Sequence, residues 1–251
     1  MVGGKKEVLY GIHSVLETLK SRRRQVEQIT VAVGRQDRRV REILALASRQ
    51  NVGVQRVPRM ALDRLAGGQP HQGVVALVTG SGPVSAEEVL ATMGSRPFLV
   101  VLDGIGDPHN LGAILRSAAA ARVDGVFLPS RGSAGLGPGV VRASAGHSDK
   151  VRVATVPNLV SLLSRLKEKG IWVVGLDSDS GSPWTEFDYS LPLALVLGGE
   201  EKGLRRLVRE HCDVCVRIPL AAGVESLNVS VAAGVALFEV VRQRGDRRPS
   251  G

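Results

Sequence analysis

Long apolar runs, cysteines and aromatic side chains are all scarce in this chain of 251 residues. No apolar run approaches the roughly 18 residues that a membrane-spanning helix requires, and the first residues carry charge without the apolar core of a signal peptide. We therefore expect a soluble, cytoplasmic protein with no membrane partner. With only two cysteines, no disulfide framework can support the fold.

The two cysteines, Cys212 and Cys215, have a spacing that also occurs in metal and redox sites, and His211 precedes them. No second group of metal ligands accompanies them, so we interpret CDVCVRIPL as the start of a strand with two small core thiols. Asp103 and Asp107 lie in a glycine-rich loop, where carboxylates more often close turns than bind metal. We predict no metal site.

Several common catalytic motifs are also missing. The glycines Gly104 and Gly106 lack the third glycine of a dinucleotide-binding fingerprint, and no P-loop pattern occurs. None of the five histidines has a recognisable partner that would make it the base of a serine nucleophile. These absences argue against a Rossmann dehydrogenase, a P-loop nucleotide hydrolase and a serine hydrolase.

Positive charge is abundant and unevenly placed. The formal net charge is +9, and residues 1–75 hold 14 Lys or Arg against 6 Asp or Glu, whereas the remaining residues hold 19 against 18. This imbalance favours a nucleic-acid-binding module at the beginning of the chain. The module has one aromatic residue, Tyr10, so we expect it to bind phosphates and RNA shape rather than stacked bases. The candidate RNA-binding residues are Arg22, Arg23, Arg24, Arg38, Arg39 and Arg41.

The first third of the chain has the pattern of a small α/β domain. Apolar residues recur at helical spacing in segments 12–19 and 40–47, and the runs QITVAV, VGVQRV and GVVALV are typical of short strands. We predict a nucleic-acid-binding domain at 1–79 and a linker rich in Gly, Ser and Pro at 80–96.

Apolar strands alternate with helical patterns from residue 97 to residue 245, which predicts a mainly parallel sheet buried on both faces. Residues 246–251 are predicted to be a flexible tail. Three polar, glycine-rich segments follow strands of this sheet: DGIGDPHNLGAILR, LGGEEKGL and RIPLAAGVESLNVSVAAG. Ligands bind at the carboxyl ends of such strands. The residues therefore indicate a small-molecule pocket for group transfer, joined to a module that binds a polyanion.

Five polar side chains in these segments are candidate catalytic residues: Asn110, Arg116, Glu200, Ser226 and Asn228. Structural roles compete with catalysis at most of them. Either asparagine can be a helix N-cap, and Glu200 can be a stabilising charge at a helix N-terminus. Arg116 is conspicuous among small and apolar neighbours, which disfavours a purely structural role for it.

The segments NLGAILRSAAAA, LVLGGEEKGL and IPLAAGVESLNVSVAAGVALFE resemble, in order and spacing, the three motifs of the SpoU (TrmH) family of RNA 2′-O-ribose methyltransferases in the SPOUT superfamily. LYGIHSVLETL and HQGVVALV are similar to the ends of the ribosomal-protein-like substrate-binding domain in the subgroup that methylates a guanosine of large-subunit (23S) ribosomal RNA.

The resemblance implies a C-terminal trefoil knot whose loops bind S-adenosyl-L-methionine, and a homodimer with the active site near the subunit interface. By position it implies that the cofactor-binding residues are Gly198, Gly199, Ile218, Leu220 and Leu227. It assigns the five candidate polar side chains to the catalytic region. Transfer RNA as the substrate, or a catalytically silent RNA-binding protein of ribosome assembly, are the alternatives.

The guanidinium of Arg116 stays protonated in proteins, so it is a poor general base. We expect Arg116 to hold a phosphate next to the target ribose, while Ser226, Glu200 or water assists removal of the 2′-hydroxyl proton.

Overall fold

The computed structural model describes residues 6–21, 24–35, 37–79, 83–200 and 202–245. Within these ranges the chain forms two compact units. The first unit contains the described residues up to 79 together with Gly135–Lys150, and the second contains residues 83–134 and 151–245. Segment 135–150 was predicted to lie in the methyltransferase domain, so its place in the first unit is a difference from the predicted division.

The helices and strands of the described residues follow one another in this order: β1 (Lys6–Tyr10), α1 (Ile12–Ser21), β2 (Gln25–Ala32), α2 (Arg38–Arg49), β3 (Gly53–Val57), α3 (Arg59–Leu65), β4 (Val74–Thr79), α4 (Ala86–Ala91), β5 (Phe98–Asp103), α5 (Pro108–Ala120), β6 (Gly125–Pro129), α6 (Pro138–Ala143), β7 (Val153–Val156), α7 (Leu159–Glu168), β8 (Trp172–Leu176), β9 (Ser182–Pro183), β10 (Leu193–Gly198), α8 (Arg206–Glu210), β11 (Val214–Arg217) and α9 (Val229–Arg244). Two single 3₁₀ turns, at His147–Lys150 and Trp184–Glu186, complete the set.

The first unit is built on a four-stranded sheet with the order β1-β4-β2-β3. Strand β4 is antiparallel to both β1 and β2, whereas β2 and β3 are parallel. The helical spacing predicted for segments 12–19 and 40–47 is confirmed, because α1 and α2 bury their apolar residues against this sheet. Strand β1 and helix α3 were not anticipated from the sequence.

The second unit is built on a seven-stranded sheet with the order β7-β6-β5-β10-β8-β11-β9. All six strand pairings are parallel, which confirms the predicted α/β class. Helices α4, α7 and α8 cover one face with a continuous apolar core. Val100, Leu102 and Leu195 on the other face are also buried, as expected for a sheet covered on both sides.

The predicted linker is not a loose connection where the structure describes it. From Pro83 onward it belongs to the second unit, and Val84 forms a bridge with Ala154. Val89 of α4 is fully buried against the sheet. The sequence indicates a short helical turn here through the capping-box pattern of Ser85 and Glu88, and in the structure this capping box begins helix α4.

Segment 135–150 is fastened to the first unit by apolar packing and by charge. Val141 of α6 lies in the apolar core formed by α1, α2 and the first sheet. Asp149 accepts hydrogen bonds from Arg24 Nε at 2.9 and 3.1 Å, and Arg24 Nη1 also donates to Glu7 Oε2 at 2.8 Å. The Arg24 and Asp149 side chains are only 2% and 3% exposed.

These contacts correct the prediction that Arg24 binds RNA, because its guanidinium is buried between two carboxylates. Arg38, Arg39 and Arg41 are exposed on the first turn of α2. Arg22 and Arg23 lie outside the described residues. An arginine cluster in a sequence does not reveal which member is neutralised by distant carboxylates, and Asp149 is 125 residues away from Arg24.

The HQG segment has a structural role in the first unit. His71 is buried, its Nε2 lies 2.8 Å from Asp63 Oδ1, and its Nδ1 accepts a hydrogen bond from the Gly73 backbone. Gln72 Oε1 accepts from the Ile12 backbone N–H at the start of α1. The segment therefore holds the turn before β4 against the beginning of α1.

We predict that Asp149→Ala lowers the free energy of unfolding by about 3 kcal/mol, because removing one partner of a buried ion pair leaves the other charge uncompensated. The matched control is Lys6→Gln, which breaks an exposed pair with Glu27 in the same unit and should cost less than about 1 kcal/mol. Urea unfolding monitored by circular dichroism measures both. Equal effects of the two variants would contradict the structural role given to Arg24 and Asp149.

Candidate active site

Three loops meet at the carboxyl edge of the second sheet. They follow β5, β10 and β11, and they contain the three glycine-rich segments singled out in the sequence. Strands β5 and β10 are direct neighbours with Leu102 paired to Leu197 and Asp103 paired to Gly198. The loops after these two strands therefore begin side by side.

A chain of hydrogen bonds connects three of the five predicted catalytic residues. Asn110 Nδ2 donates to Glu200 Oε1 at 2.8 Å, and Asn228 Nδ2 donates to Asn110 Oδ1 at 3.0 Å. Each residue comes from a different loop, at separations of 90 and 118 residues along the chain. The fold therefore assembles a polar cluster from the three motifs.

The two asparagines differ in whether they cap a helix. Asn228 is the N-cap of α9, since its Oδ1 accepts from the Ser230 backbone, and it also donates to Asn110. Asn110 is not a cap, because Asp107 caps α5. Asn110 lies in the first turn of that helix and uses its whole amide group to join Glu200 to Asn228.

A cavity of about 470 Å³ lies beside this cluster. Its volume is within the range of about 300–1,000 Å³ that is common for small-molecule sites. Glu200 and Ser226 reach its wall, and so do all five residues predicted to bind the cofactor: Gly198, Gly199, Ile218, Leu220 and Leu227. The structure thus brings Glu200 of the polar cluster, Ser226 and the predicted cofactor-binding residues to one pocket.

The two glycines after β10 allow backbone to pass directly against backbone. A Cβ on Gly198 would lie 2.0 Å from the carbonyl carbon of Gly203, and a Cβ on Gly199 would lie 2.6 Å from the Gly104 carbonyl oxygen. A side chain on Gly198 would therefore push the end of β10 away from the loop that follows it, and a side chain on Gly199 would push that loop away from the loop after β5. Glycine is required here by close approach rather than by an unusual dihedral angle.

Carboxylates on the cavity wall were missed in the sequence. Asp177, Asp179 and Glu225 line the cavity together with Glu200, and Lys202 and Arg209 are the basic residues of the same wall. Asp177 forms an ion pair with Arg209. The segment LDSDSG lies at the carboxyl end of β8, and this position could have identified its two aspartates as candidate site residues from the sequence. The wall has an acidic excess, which favours a ligand with positive charge.

Asp103 holds the loop after β10 in place. Its side chain is fully buried at the end of β5, and it accepts hydrogen bonds from the backbone N–H of Arg205 at 2.8 Å and from Arg205 Nε at 2.6 Å. Asp107 caps α5, as expected for a carboxylate that closes a turn. Both aspartates are therefore accounted for without a metal.

Arg116 is not part of the polar cluster within one chain. It is exposed on α5, it lines neither the 470 Å³ cavity nor the cleft around Asn110, and it has no ion pair with any described residue. Six residues along an α-helix correspond to about 9 Å and to a rotation of about 120° between Asn110 and Arg116. Both residues were expected in one region, and within one chain they lie apart.

Cys212 and Cys215 are partly buried at the start of β11, in agreement with their interpretation as core thiols. Burial raises the pKa of the Cys212 thiol to about 12, with the neighbouring Cys215 as a further cause. The described residues include no group of three or more His, Cys, Asp or Glu side chains arranged to hold a metal ion.

Comparison with known proteins decides the family. The SpoU rRNA Methylase family matches residues 97–238, more than half of the chain, and the family described as RNA 2′-O ribose methyltransferase substrate binding matches residues 8–84. The chain belongs to the SpoU rRNA methylase family. A relative from Pseudomonas putida, 23S rRNA (guanosine-2′-O-)-methyltransferase RlmB, is 42% identical over 96% of this chain and 98% of its own length.

Solved structures agree with the SpoU fold. A protein described as an RNA 2′-O ribose methyltransferase has a TM-score of 0.82 at 27% identity, covering 96% of this chain and 90% of the other. The SpoU methyltransferase AviRb from Streptomyces viridochromogenes, solved with AdoMet, has a TM-score of 0.80 at 24% identity, covering 95% and 90%. In the described part of the SpoU chain, no helix is long and apolar enough to cross a membrane.

We predict that Gly198→Ala lowers the free energy of unfolding by about 3 kcal/mol, because the added methyl group overlaps the backbone of Gly203. The matched control is Gly106→Ala at the same edge of the sheet, where a Cβ would meet no heavy atom within 4 Å. Chemical unfolding of the two variants gives the comparison. A Gly198→Ala protein as stable as Gly106→Ala would show that the loop after β10 can move away from Gly198 at little cost.

Proposed function

We propose that this SpoU protein transfers a methyl group from S-adenosyl-L-methionine to the ribose 2′-oxygen of a guanosine in 23S ribosomal RNA. The observation that carries the proposal is the hydrogen-bonded cluster of Asn110, Glu200 and Asn228, in which Glu200 lies at the wall of the glycine-lined cavity. The choice of substrate is supported by the RlmB relative, which is similar over nearly the whole of both chains.

The cavity residues fit the proposed cofactor. Gly198 and Gly199 expose backbone at the wall, Ile218, Leu220 and Leu227 supply apolar surface, and the acidic excess suits a cation. When bound, S-adenosyl-L-methionine supplies an electrophilic methyl group on a positively charged sulfonium. The remaining chemistry falls to the protein, which has to orient the ribose and accept the proton of its 2′-hydroxyl.

Glu200 is placed to assist proton removal. Asn110 donates to one carboxylate oxygen, Oε1, which leaves Oε2 able to accept a hydrogen bond from the substrate hydroxyl. Ser226 at the same wall can relay a proton or orient a water. Asn228 fixes Asn110 while it caps α9, so the position of the carboxylate is coupled to the start of that helix.

Arg116 requires a second copy of the chain in this proposal. Its guanidinium donates to a phosphate next to the target ribose, in the active site of the partner subunit. Helix α9 packs on α5 and presents two large apolar residues seven positions apart, Val231 and Phe238, which are 52% and 49% exposed. An exposed apolar face of this kind is suited to a homodimer interface beside Arg116.

The N-terminal unit supplies affinity for the RNA. The substrate-binding family match covers residues 8–84 of the chain, and Arg38, Arg39 and Arg41 are exposed on α2 as a basic surface for phosphates.

Action on ribosomal RNA would place the enzyme in the cytoplasm, where bacterial ribosomes are assembled. A trefoil knot in the second unit is part of the proposal, because the loops after β5 and β10 pass in backbone contact.

The first experiment measures transfer of labelled methyl groups from S-adenosyl-L-methionine to purified 23S ribosomal RNA and to total transfer RNA. We expect label in 23S RNA at a single guanosine 2′-oxygen, located by nuclease mapping. Label in transfer RNA alone would overturn the substrate. No label in either RNA or in precursor particles, with intact cofactor binding, would favour a catalytically silent RNA-binding protein.

The same assay includes Asn228→Ala, for which we expect methyl transfer to fall roughly 100-fold. Ser85→Ala is the matched control, since it also removes a helix N-cap from the second unit but lies away from the site. We expect each variant to lose about 1 kcal/mol of stability, because each loses a helix N-cap. If both lost the same amount of activity, the role of Asn228 would be limited to capping α9. Deleting residues 1–79 is unsuitable as a variant, because it would strip Val141 and Asp149 of their partners.

A mixing experiment tests whether Arg116 acts across a dimer. Asn110→Ala and Arg116→Ala chains are each expected to be inactive, and refolding them together should restore about a quarter of the activity of a symmetric dimer. Half of the dimers are then mixed, and each mixed dimer has one site with both residues intact. Absence of any recovery, with mixed dimers demonstrated by two affinity tags, would place Arg116 in the site of its own chain or remove it from catalysis.

A further inference from the structure

A second, larger cavity lies in the methyltransferase unit at the carboxyl ends of β6 and β7. Its volume is about 970 Å³, and the start of α8 closes its side. We call it the arginine groove, after Arg131, Arg205 and Arg206 on its wall. None of the predicted catalytic or cofactor-binding residues lines it. The groove therefore needs an explanation other than cofactor binding.

The charge of the arginine groove has one sign. Among the described residues that line it there are three arginines and no Asp or Glu. Arg205 is paired with buried Asp103, and Arg206 is paired at the surface with Glu210. Arg131 is exposed and forms no ion pair with any described residue. This wall is suited to an anion, in contrast to the acidic excess of the 470 Å³ cavity.

The arginine groove adjoins the cleft that holds Asn110. This cleft, of about 700 Å³, is lined by Asp107, Asn110 and Glu200, and it extends to Arg205. It shares Glu200 with the 470 Å³ cavity and Arg205 with the groove. The proposed methyl-donor cavity, the cleft at Asn110 and the arginine groove therefore lie one after another along the carboxyl edge of the sheet.

The apolar walls of the groove suit nucleobases. Pro129, Pro157 and Leu159 line it, and Leu207 is 52% exposed at its edge. No aromatic residue is found in the part of its wall that the structure describes, so bases would rest on prolines, on Leu207 and on the flat guanidinium groups of the arginines. Phosphates and unstacked bases together are the features of a single-stranded RNA segment.

We propose that the arginine groove binds the single-stranded RNA that flanks the target nucleotide, with Arg131 and Arg206 on its phosphates and Leu207 against a base. The inference rests on the proposed methyl transfer to RNA and extends it to the path of the strand. Arg205 stays with Asp103 and forms the boundary between the catalytic cleft and the groove.

The test uses the full-length protein with Arg131→Gln and Arg206→Gln combined. Loss of two phosphate contacts should raise the KM for 23S RNA roughly tenfold and lower the slope of log affinity against log salt by about 1.4. The kcat at saturating RNA and the affinity for S-adenosyl-L-methionine should stay as in the wild type. Arg96→Gln is the matched control, because Arg96 is an exposed arginine at the opposite edge of the sheet, before β5.

Leu207→Glu is a second variant, which adds a negative charge at an exposed position and should also weaken RNA binding. An RNA fragment trimmed to the target loop, without flanking single strand, should bind the wild type and both groove variants equally. If the arginine double variant matches Arg96→Gln in KM and in salt dependence, the groove does not bind RNA.

Direct RNA affinity, measured by fluorescence anisotropy, separates this outcome from failure of the proposed function. A wild type that binds 23S RNA without methylating it would overturn the reaction. If RNA affinity fell in the double variant but not in Arg96→Gln, the proposal that the groove binds RNA would still be supported. Equal affinities of the double variant and Arg96→Gln would overturn the groove even in an active methyltransferase.

Discussion

Backbone-to-backbone packing after β10 is the constraint on which the active site depends. Gly198 lies against Gly203, and Gly199 lies against Gly104, at distances that leave no room for a Cβ. This contact brings the loop after β5 onto the loop after β10. Asn110 can then reach Glu200, and Asn228 completes the cluster from a third loop. Asp103 stabilises the same arrangement, because its buried carboxylate accepts a hydrogen bond from the backbone N–H of Arg205.

Charge is divided along the carboxyl edge of the second sheet. The 470 Å³ cavity has an acidic excess that suits a sulfonium, whereas the described residues that line the arginine groove include three arginines and no carboxylate. Such a division favours a reaction between a cationic methyl donor and a polyanionic RNA, since each reactant is attracted to a different part of the edge. Asn110 and Glu200 line the cleft between the two regions.

The two units also show how a local pattern can mislead. Six arginines near the N-terminus formed one candidate set in the sequence, yet Arg24 is buried between Glu7 and Asp149 as a structural ion pair. Its main partner comes from segment 135–150, which lies between two strands of the second sheet in the chain but belongs to the first unit. The short helix α4 was mistaken for linker because its two buried residues are surrounded by turn-forming ones.

The sequence by itself determined the class of fold, most of the strands and helices, and the segments that carry the site, because periodicity and glycine-rich loops after strands are local features. It also determined the family, through three motifs in the right order. Only the tertiary structure decided that Asn110 bonds both Glu200 and Asn228, that Arg116 lies apart from them, and that the arginine groove exists. These are contacts between residues distant in sequence, and they depend on strand order and helix rotation, which no local pattern contains.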